Sequence, residues 1–277
     1  MRKFILYKNF CLWLLGTYFF FCPFQLYSQE SSSPIDSNEI KSIQTKIKDL
    51  DFFISLDSTD PKNFYQRAEL KASIEDYQGA IQDLNQTLKL YPDEPAVFYK
   101  RGAYKERVND LNGALADLTE VIKLKPDFEW GYNDRGQIFI KMKKYKEAEA
   151  DFNKALEIKP KWAIAYANLG IVYKEQKNNL KAIEYYTKAL EIDPALYMTY
   201  NNRGVAYKDS KKYNEAVRDF TKAIELYPKY INPYLGRADC KYALKEKESA
   251  CQDLKKAEEL GGKDLESKKK KYCGKKK

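Results

Sequence analysis

Residues 163–196 read AIAYANLGIVYKEQKNNLKAIEYYTKALEIDPAL, and the skeleton of that stretch recurs along the chain. Pro92, Pro126, Pro160, Pro194 and Pro228 stand 34 residues apart without a slip. A period of that size marks stacked supersecondary units and has to be read before any local pattern. Setting the prolines at position 32 gives six units, 61–94, 95–128, 129–162, 163–196, 197–230 and 231–264, with Gly262 in the last proline slot. Position 20 is then Ala80, Ala114, Ala148, Ala182, Ala216 and Ala250, and position 8 is Ala68, Gly102, Gly136, Gly170, Gly204 and Ala238. Position 4 is aromatic throughout, from Phe64 to Tyr234, and position 24 is bulky: Leu84, Leu118, Phe152, Tyr186, Phe220 and Leu254.

Positions 4, 7, 8 and 11 recur at spacings of three and four, as do 20, 24, 27 and 28, so each set forms one stripe of a helix. Gly inside a helix costs about 1 kcal/mol relative to Ala, which makes sense where another helix passes too close for a side chain. The proline ends the second helix, because the residue before it is pushed out of the α region.

The pattern resembles the tetratricopeptide repeat, most fully in the fourth unit: Tyr166, Leu169-Gly170, Tyr173, Ala182, Tyr186, Ala189 and Pro194. That resemblance covers 61–264. It implies an all-α fold, a right-handed superhelical solenoid of antiparallel helix pairs whose first helices line a concave groove. It also implies a protein or peptide ligand, held in this chain by Trp130, Asn133, Gln137, Asn168, Ile171, Met198, Asn201, Asn202 and Val205. Asn168 and Asn202, both at position 6, resemble two rungs of the asparagine ladder in some long grooves of the family. No unit carries the Lys and Asn, four apart at positions 5 and 9, with which some members clamp chaperone C-termini.

The chain departs from the family in a paired way. Where the family has Leu at position 7, five units have Arg, and the same five have Asp at position 23: Arg67/Asp83, Arg101/Asp117, Arg135/Asp151, Arg203/Asp219 and Arg237/Asp253. The unit with Leu169 has Tyr185 instead. The two positions lie on opposite helices, so a partly buried ion pair that fixes helix register is expected, with a ligand-binding arginine row as the alternative.

The formal charge of +9 sits at the ends. Residues 1–28 contribute +3 and 263–277 contribute +6, leaving 38 basic against 38 acidic groups between them. A surface that tracks phosphates leaves a net excess, so nucleic acid is not expected as a ligand. There is no histidine, which removes histidine acid–base chemistry, nucleophile pairs and metal ligation. No phosphate loop, GxGxxG or metal-spaced cysteine set is present, so neither an enzyme nor a cofactor or metal site is expected.

Residues 1–28 join a basic start to an apolar run, Phe10–Phe24, too short for an ordinary membrane span but suited to a signal peptide. Export to a bacterial periplasm, cell surface or medium is expected, with an uncleaved anchor as the alternative. Residues 29–60 hold a linker and a capping helix or decayed half-repeat, marked by Ile40, Ile43, Ile47, Leu50 and Ile54. Residues 265–277 form a short final helix and a lysine tail, open to weak envelope contact. Cys240 and Cys251 stand level across the last hairpin, so a disulfide between them is expected, with two buried thiols as the alternative, leaving Cys273 unpaired. The functional expectation is a monomeric scaffold or adaptor that holds a peptide segment. The alternative is an envelope-tethered spacer that uses the tail or an N-terminal anchor.

Overall fold

The computed structural model describes residues 36–274. Among these residues there are fourteen α-helices and no strand. A first helix, α1 (Ser37–Leu56), precedes six hairpins: α2 (Pro61–Ser73) with α3 (Tyr77–Leu90), α4 (Pro95–Arg107) with α5 (Leu111–Leu124), and α6 (Glu129–Lys141) with α7 (Tyr145–Ile158). The series continues with α8 (Ala163–Glu175) and α9 (Asn179–Ile192), α10 (Tyr197–Asp209) and α11 (Tyr213–Leu226), and α12 (Ile231–Ala243) and α13 (Lys247–Glu259), closed by α14 (Glu266–Cys273). Each helix packs on its sequence neighbours, and successive first helices also touch, so the chain is a solenoid. The signal-peptide reading of residues 1–28 and the last three lysines lie outside the described residues.

Each hairpin turns at one residue. Position 15 has a positive φ in all six units, between 59° and 67°, at Glu75, Asn109, Lys143, Lys177, Lys211 and Lys245. The next amide reaches back to the carbonyl of position 11, as in Asn178 to Tyr173 at 2.8 Å, while position 15 bonds position 12. This paired closure satisfies carbonyls that the helix end would otherwise leave bare. Nothing in the sequence pattern hints at it, because five of the six residues are Lys or Glu rather than Gly or Asn.

The columns pack as their sizes dictate. All six alanines at position 20 are fully buried, and no residue at position 24 is more than 3% exposed. A Cβ on Gly136, Gly170 or Gly204 would stand 2.8, 2.4 or 2.9 Å from the ring of Phe152, Tyr186 or Phe220. Where position 24 is Leu84 or Leu254, position 8 is Ala. In these five units the size of the second-helix side chain matches what the first helix carries; in the second, Gly102 stands against Leu118 and is crowded by Asp117 instead.

The cysteine pairing differs from the sequence expectation. Cys251 bonds Cys273, with Cα atoms 5.0 Å apart, and Cys240 is a buried free thiol. Cys240 belongs to a column that faces the preceding hairpin, where it packs on Ala216 and Phe220, and its burial pushes the thiol pKa up to about 12. Cys251 is one residue past the inward Ala250, about 100° round the helix, and meets α14 as that helix returns. Level height did not mean facing sides. The same return buries Leu265 and Tyr272, stacks Tyr272 on Tyr242 at 4.1 Å and lets Lys268 and the Tyr272 hydroxyl donate to Asp239. Cys273→Ser is expected to cost about 3 kcal/mol and to open 265–274 to limited proteolysis. Equal protease resistance of the variant and the oxidised wild type would contradict the clamp.

Candidate functional site

The first helices carry a side-chain register that is one residue longer than the repeat. Asn168 Nδ2 donates to Asn133 Oδ1 at 2.9 Å, joining position 6 of one unit to position 5 of the unit before. Tyr99 donates its hydroxyl to Asp134 by the same 35-residue step. Lys141 with Glu106, Lys174 with Asp209 at 2.8 Å, and the Tyr104 hydroxyl with Glu69 at 2.8 Å obey it too. Adjacent first helices are thus tied side by side through positions 5 and 6, 9 and 10, and 12 and 13.

This places the expected groove residues in two groups. Trp130, Gln137, Ile171, Met198, Asn202 and Val205 are partly exposed along the strip. Asn133, Asn168 and Asn201 are buried, at 0%, 2% and 6% exposure, and the first two bond each other across the unit boundary. Asn201 is the exception within that group. Its Oδ1 has no hydrogen-bond partner, because position 6 of the next unit is Gly236, kept without a side chain by the Phe220 ring 2.4 Å from where a Cβ would stand.

Asp134 is the most perturbed acid of the face. It accepts from Tyr99 and from Asn133 Nδ2, yet burial outweighs both and raises its pKa from 3.8 to about 7. The native state therefore keeps a proton that the unfolded chain has already released. Stability from this group is full below about pH 4 and is lost as pH rises through about 7. With no histidine in the chain, melting temperature is expected to fall from pH 5 to pH 8, and Asp134→Asn is expected to flatten that slope. An unchanged slope in the variant would assign the titration elsewhere.

The arginine row forms a second polar system, on the hairpin side. In all five pairs, Arg67/Asp83, Arg101/Asp117, Arg135/Asp151, Arg203/Asp219 and Arg237/Asp253, Nε and Nη2 grip the two carboxylate oxygens. The distances in Arg135–Asp151 are 2.8 and 2.7 Å.

The burial of the five pairs is uneven, the acids lying deeper than the arginines. Only the arginines are partly exposed. Asp83, Asp117, Asp151, Asp219 and Asp253 are buried, at 3%, 2%, 5%, 6% and 5% exposure. The cause is their register. Position 23 follows the inward alanine of position 20 by three residues, so the carboxylate sits on the core stripe of the second helix. Asp117 shows the closeness, its Cβ lying 3.3 Å from where a Cβ on Gly102 would stand. Arginine, with its longer stem, starts beside the acid and reaches outward to the preceding unit. A second cation supports three of the acids, as Lys71, Lys105 and Lys241 lie 2.9 Å from Asp83, Asp117 and Asp253. Buried and gripped, none of the five carboxylates faces a ligand.

The remaining Nη1 of each arginine crosses between units. It reaches position 25 of the preceding unit, where Asn85, Thr119, Thr187 and Thr221 accept from Arg101, Arg135, Arg203 and Arg237. Arg67 bonds Asp51 in the same way, at 2.6 Å, so α1 supplies the position that a complete preceding second helix would supply. The guanidinium also lies over the ring at position 4, as Arg101 does over Phe98 at 5.4 Å. Each arginine thus engages Nε, Nη1 and Nη2 within the solenoid, three of its five N–H donors. In the fourth unit Tyr185 stacks on Tyr173 at 5.2 Å beside Leu169, an aromatic replacement for the pair.

No group of His, Cys, Asp and Glu suited to a metal ion occurs among the described residues. The tetratricopeptide-repeat profiles match residues 127–195 and 197–230. No curated protein matches the sequence. Among solved structures, MamA is 27% identical with a TM-score of 0.54, over 61% of this chain and 92% of that one. A tetratricopeptide repeat protein from Parabacteroides merdae ATCC 43184 has a TM-score of 0.67 at 22% identity, over 84% of this chain and 91% of its own. YrrB, described as having an unusual peptide-binding site, has a TM-score of 0.52 at 20% identity, over 67% and 97%. The last two likenesses show the fold alone.

Proposed function

Because the chain belongs to the tetratricopeptide-repeat proteins, a family of mostly non-enzymatic interaction scaffolds, we propose that it holds an extended peptide segment along its first helices. The carrying observation is the neutral strip of Trp130, Gln137, Ile171, Met198 and Val205, all partly exposed. The charges beside it are spent on one another, in Lys141 with Glu106 and Lys174 with Asp209. Apolar side chains accept those of a peptide while Gln137 and Asn202 bond its backbone. The peptide-binding description of YrrB is in keeping with this reading.

Export also belongs to the proposal. The apolar run Phe10–Phe24 fits a secretion signal, and the Cys251–Cys273 bond suits an oxidising compartment. The lysine run contributes less to tethering than its composition suggests, since Lys268 and Lys269 are engaged with Asp239 and Glu258.

The test is site-specific photo-crosslinking of the full chain in its native cells. Probes at Gln137, Ile171 and Val205 should capture one common partner, and probes at the exposed second-helix residues Lys154 and Lys222 should not. Capture only from the second-helix side would defeat the groove reading.

A further inference from the structure

Helix α1 has the register of a second helix without a first. Asp51 accepts from Arg67 as position 25 does in later units, which puts Leu50 at position 24, Asp49 at 23, Lys46 at 20 and Phe53 at 27. Leu50 is buried, as its counterparts are. Positions 4, 7 and 8 of that unit are Glu30, Ser33 and Pro34, where the others carry a ring, Arg or Leu, and Gly or Ala. A proline there does not suit a helix interior, so the sequence spells no first helix to cover α1.

The uncovered side of α1 is a stripe. Glu39, Ser42, Lys46, Asp49, Phe53 and Leu56 recur at spacings of three and four, so they share one face, and all six are exposed. Phe53 is 52% exposed, whereas position 27 is at most 3% exposed in the six later units. Leu56 is 69% exposed, and Phe52 flanks the stripe at 60%.

Two residues of the stripe break the columns. Lys46 stands where every later unit has a fully buried alanine, so a helix of the repeat's own kind cannot approach as the six first helices do. Asp49 has no arginine, although five later acids of its column are each gripped by one. Neither Lys46 nor Asp49 makes an ion pair among the described residues.

We infer that α1 pairs with α1 of a second copy, antiparallel about a two-fold axis between Lys46 and Asp49. The stripe is centred there, so the axis sets all six positions opposite one another. Lys46 meets Asp49 of the second copy, Asp49 meets its Lys46, Phe53 lies over its Ser42, and Leu56 covers the stem of its Glu39. The two departures answer each other: the cation that Asp49 lacks is the one that displaced the alanine. Large faces small at Phe53 and Ser42, as interlocking helices require. A parallel pair would set Lys46 on Lys46 and Asp49 on Asp49, and like charges so placed repel. The contact is isologous and closes at two copies, so the monomer expected from the sequence gives way to a weak dimer. It stands whether or not the groove holds a peptide.

Sedimentation equilibrium of the full chain tests it. The wild type should dimerise with a Kd of about 10–100 μM, since one helix pair lies at the small end of specific interfaces. Lys46→Asp and Asp49→Lys should each weaken association about tenfold or more, with the helical circular dichroism unchanged because both residues are exposed. Phe53→Ser should do the same. Mixed in equal amounts, the two charge variants should associate at least as tightly as the wild type, each supplying the charge the other lacks. Both changes in one chain should also restore the dimer. A wild type still monomeric at about 0.5 mM overturns the inference. Self-association that survives the single charge changes overturns it too, by placing the contact elsewhere, the apolar run of residues 10–24 included. Loss in both single variants without recovery on mixing overturns the antiparallel register.

Discussion

Arg135→Leu should lower stability by about 3–5 kcal/mol, and adding Asp151→Tyr should recover much of that loss. The carboxylate of Asp151 is only 7% exposed, and burial raises its pKa even with Arg135 in place. Removing the arginine leaves a charge in a site that was tolerable only because both oxygens were gripped, the situation in which breaking a buried pair costs most. The double change recreates the Leu169 and Tyr185 combination that the fourth unit already uses. Recovery should be incomplete, because the bond from Arg135 to Thr119 in the preceding unit is also lost. Chemical denaturation of the two variants decides the matter. Losses that simply add would show that the two residues act independently.

Phe220→Ala should cost a similar amount, about 3–5 kcal/mol. The ring is fully buried and presses on two glycines from different units, Gly204 and Gly236, where a Cβ would lie 2.9 and 2.4 Å from its atoms. Truncation empties a space bounded by helices that cannot close in without moving the next hairpin. Gly204→Ala alone should also destabilise, despite the better helix propensity of Ala. Combined with Phe220→Leu it should be far better tolerated, because Ala238 and Leu254 already coexist in the sixth unit. A Gly204→Ala single variant as stable as the wild type by thermal melting would show that the ring, not the backbone, has room to yield.

What the sequence revealed and what it hid divide along a physical line. The columns at 8, 20 and 24 were legible because small and large residues must alternate wherever two helices meet at a fixed crossing. The Arg135 and Asp151 coupling was legible because both members change together in the one unit that lacks it. How deeply the acids lie was not, since a charge at position 23 reads as surface until the arginine is seen covering it. The amide pairs were hidden too, because Asn133 and Asn168 are 35 residues apart and a 34-residue comparison never sets them side by side. That offset also explains why Asn133 and Asn168, read from the sequence as groove residues, bond each other between units. The Cys251–Cys273 bond depended on the path of α14 across the last hairpin, which no column encodes.

The arginine row has a gap with a mechanical result. Between α7 and α8 no guanidinium crosses, since Leu169 faces an exposed Asn153 where the other junctions have a donor and an acceptor. That junction relies on apolar contact, the Asn133–Asn168 bond and the Tyr173 hydroxyl on Glu149. The other junctions add a guanidinium hydrogen bond to position 25 of the preceding unit, from an arginine held in place by its grip on the acid of its own hairpin. A rod clamped at every joint but one flexes at that joint. The pitch of the trough will vary most in mid-chain, where Ile171 lies, so guests of different girth can be accommodated there without loosening either end.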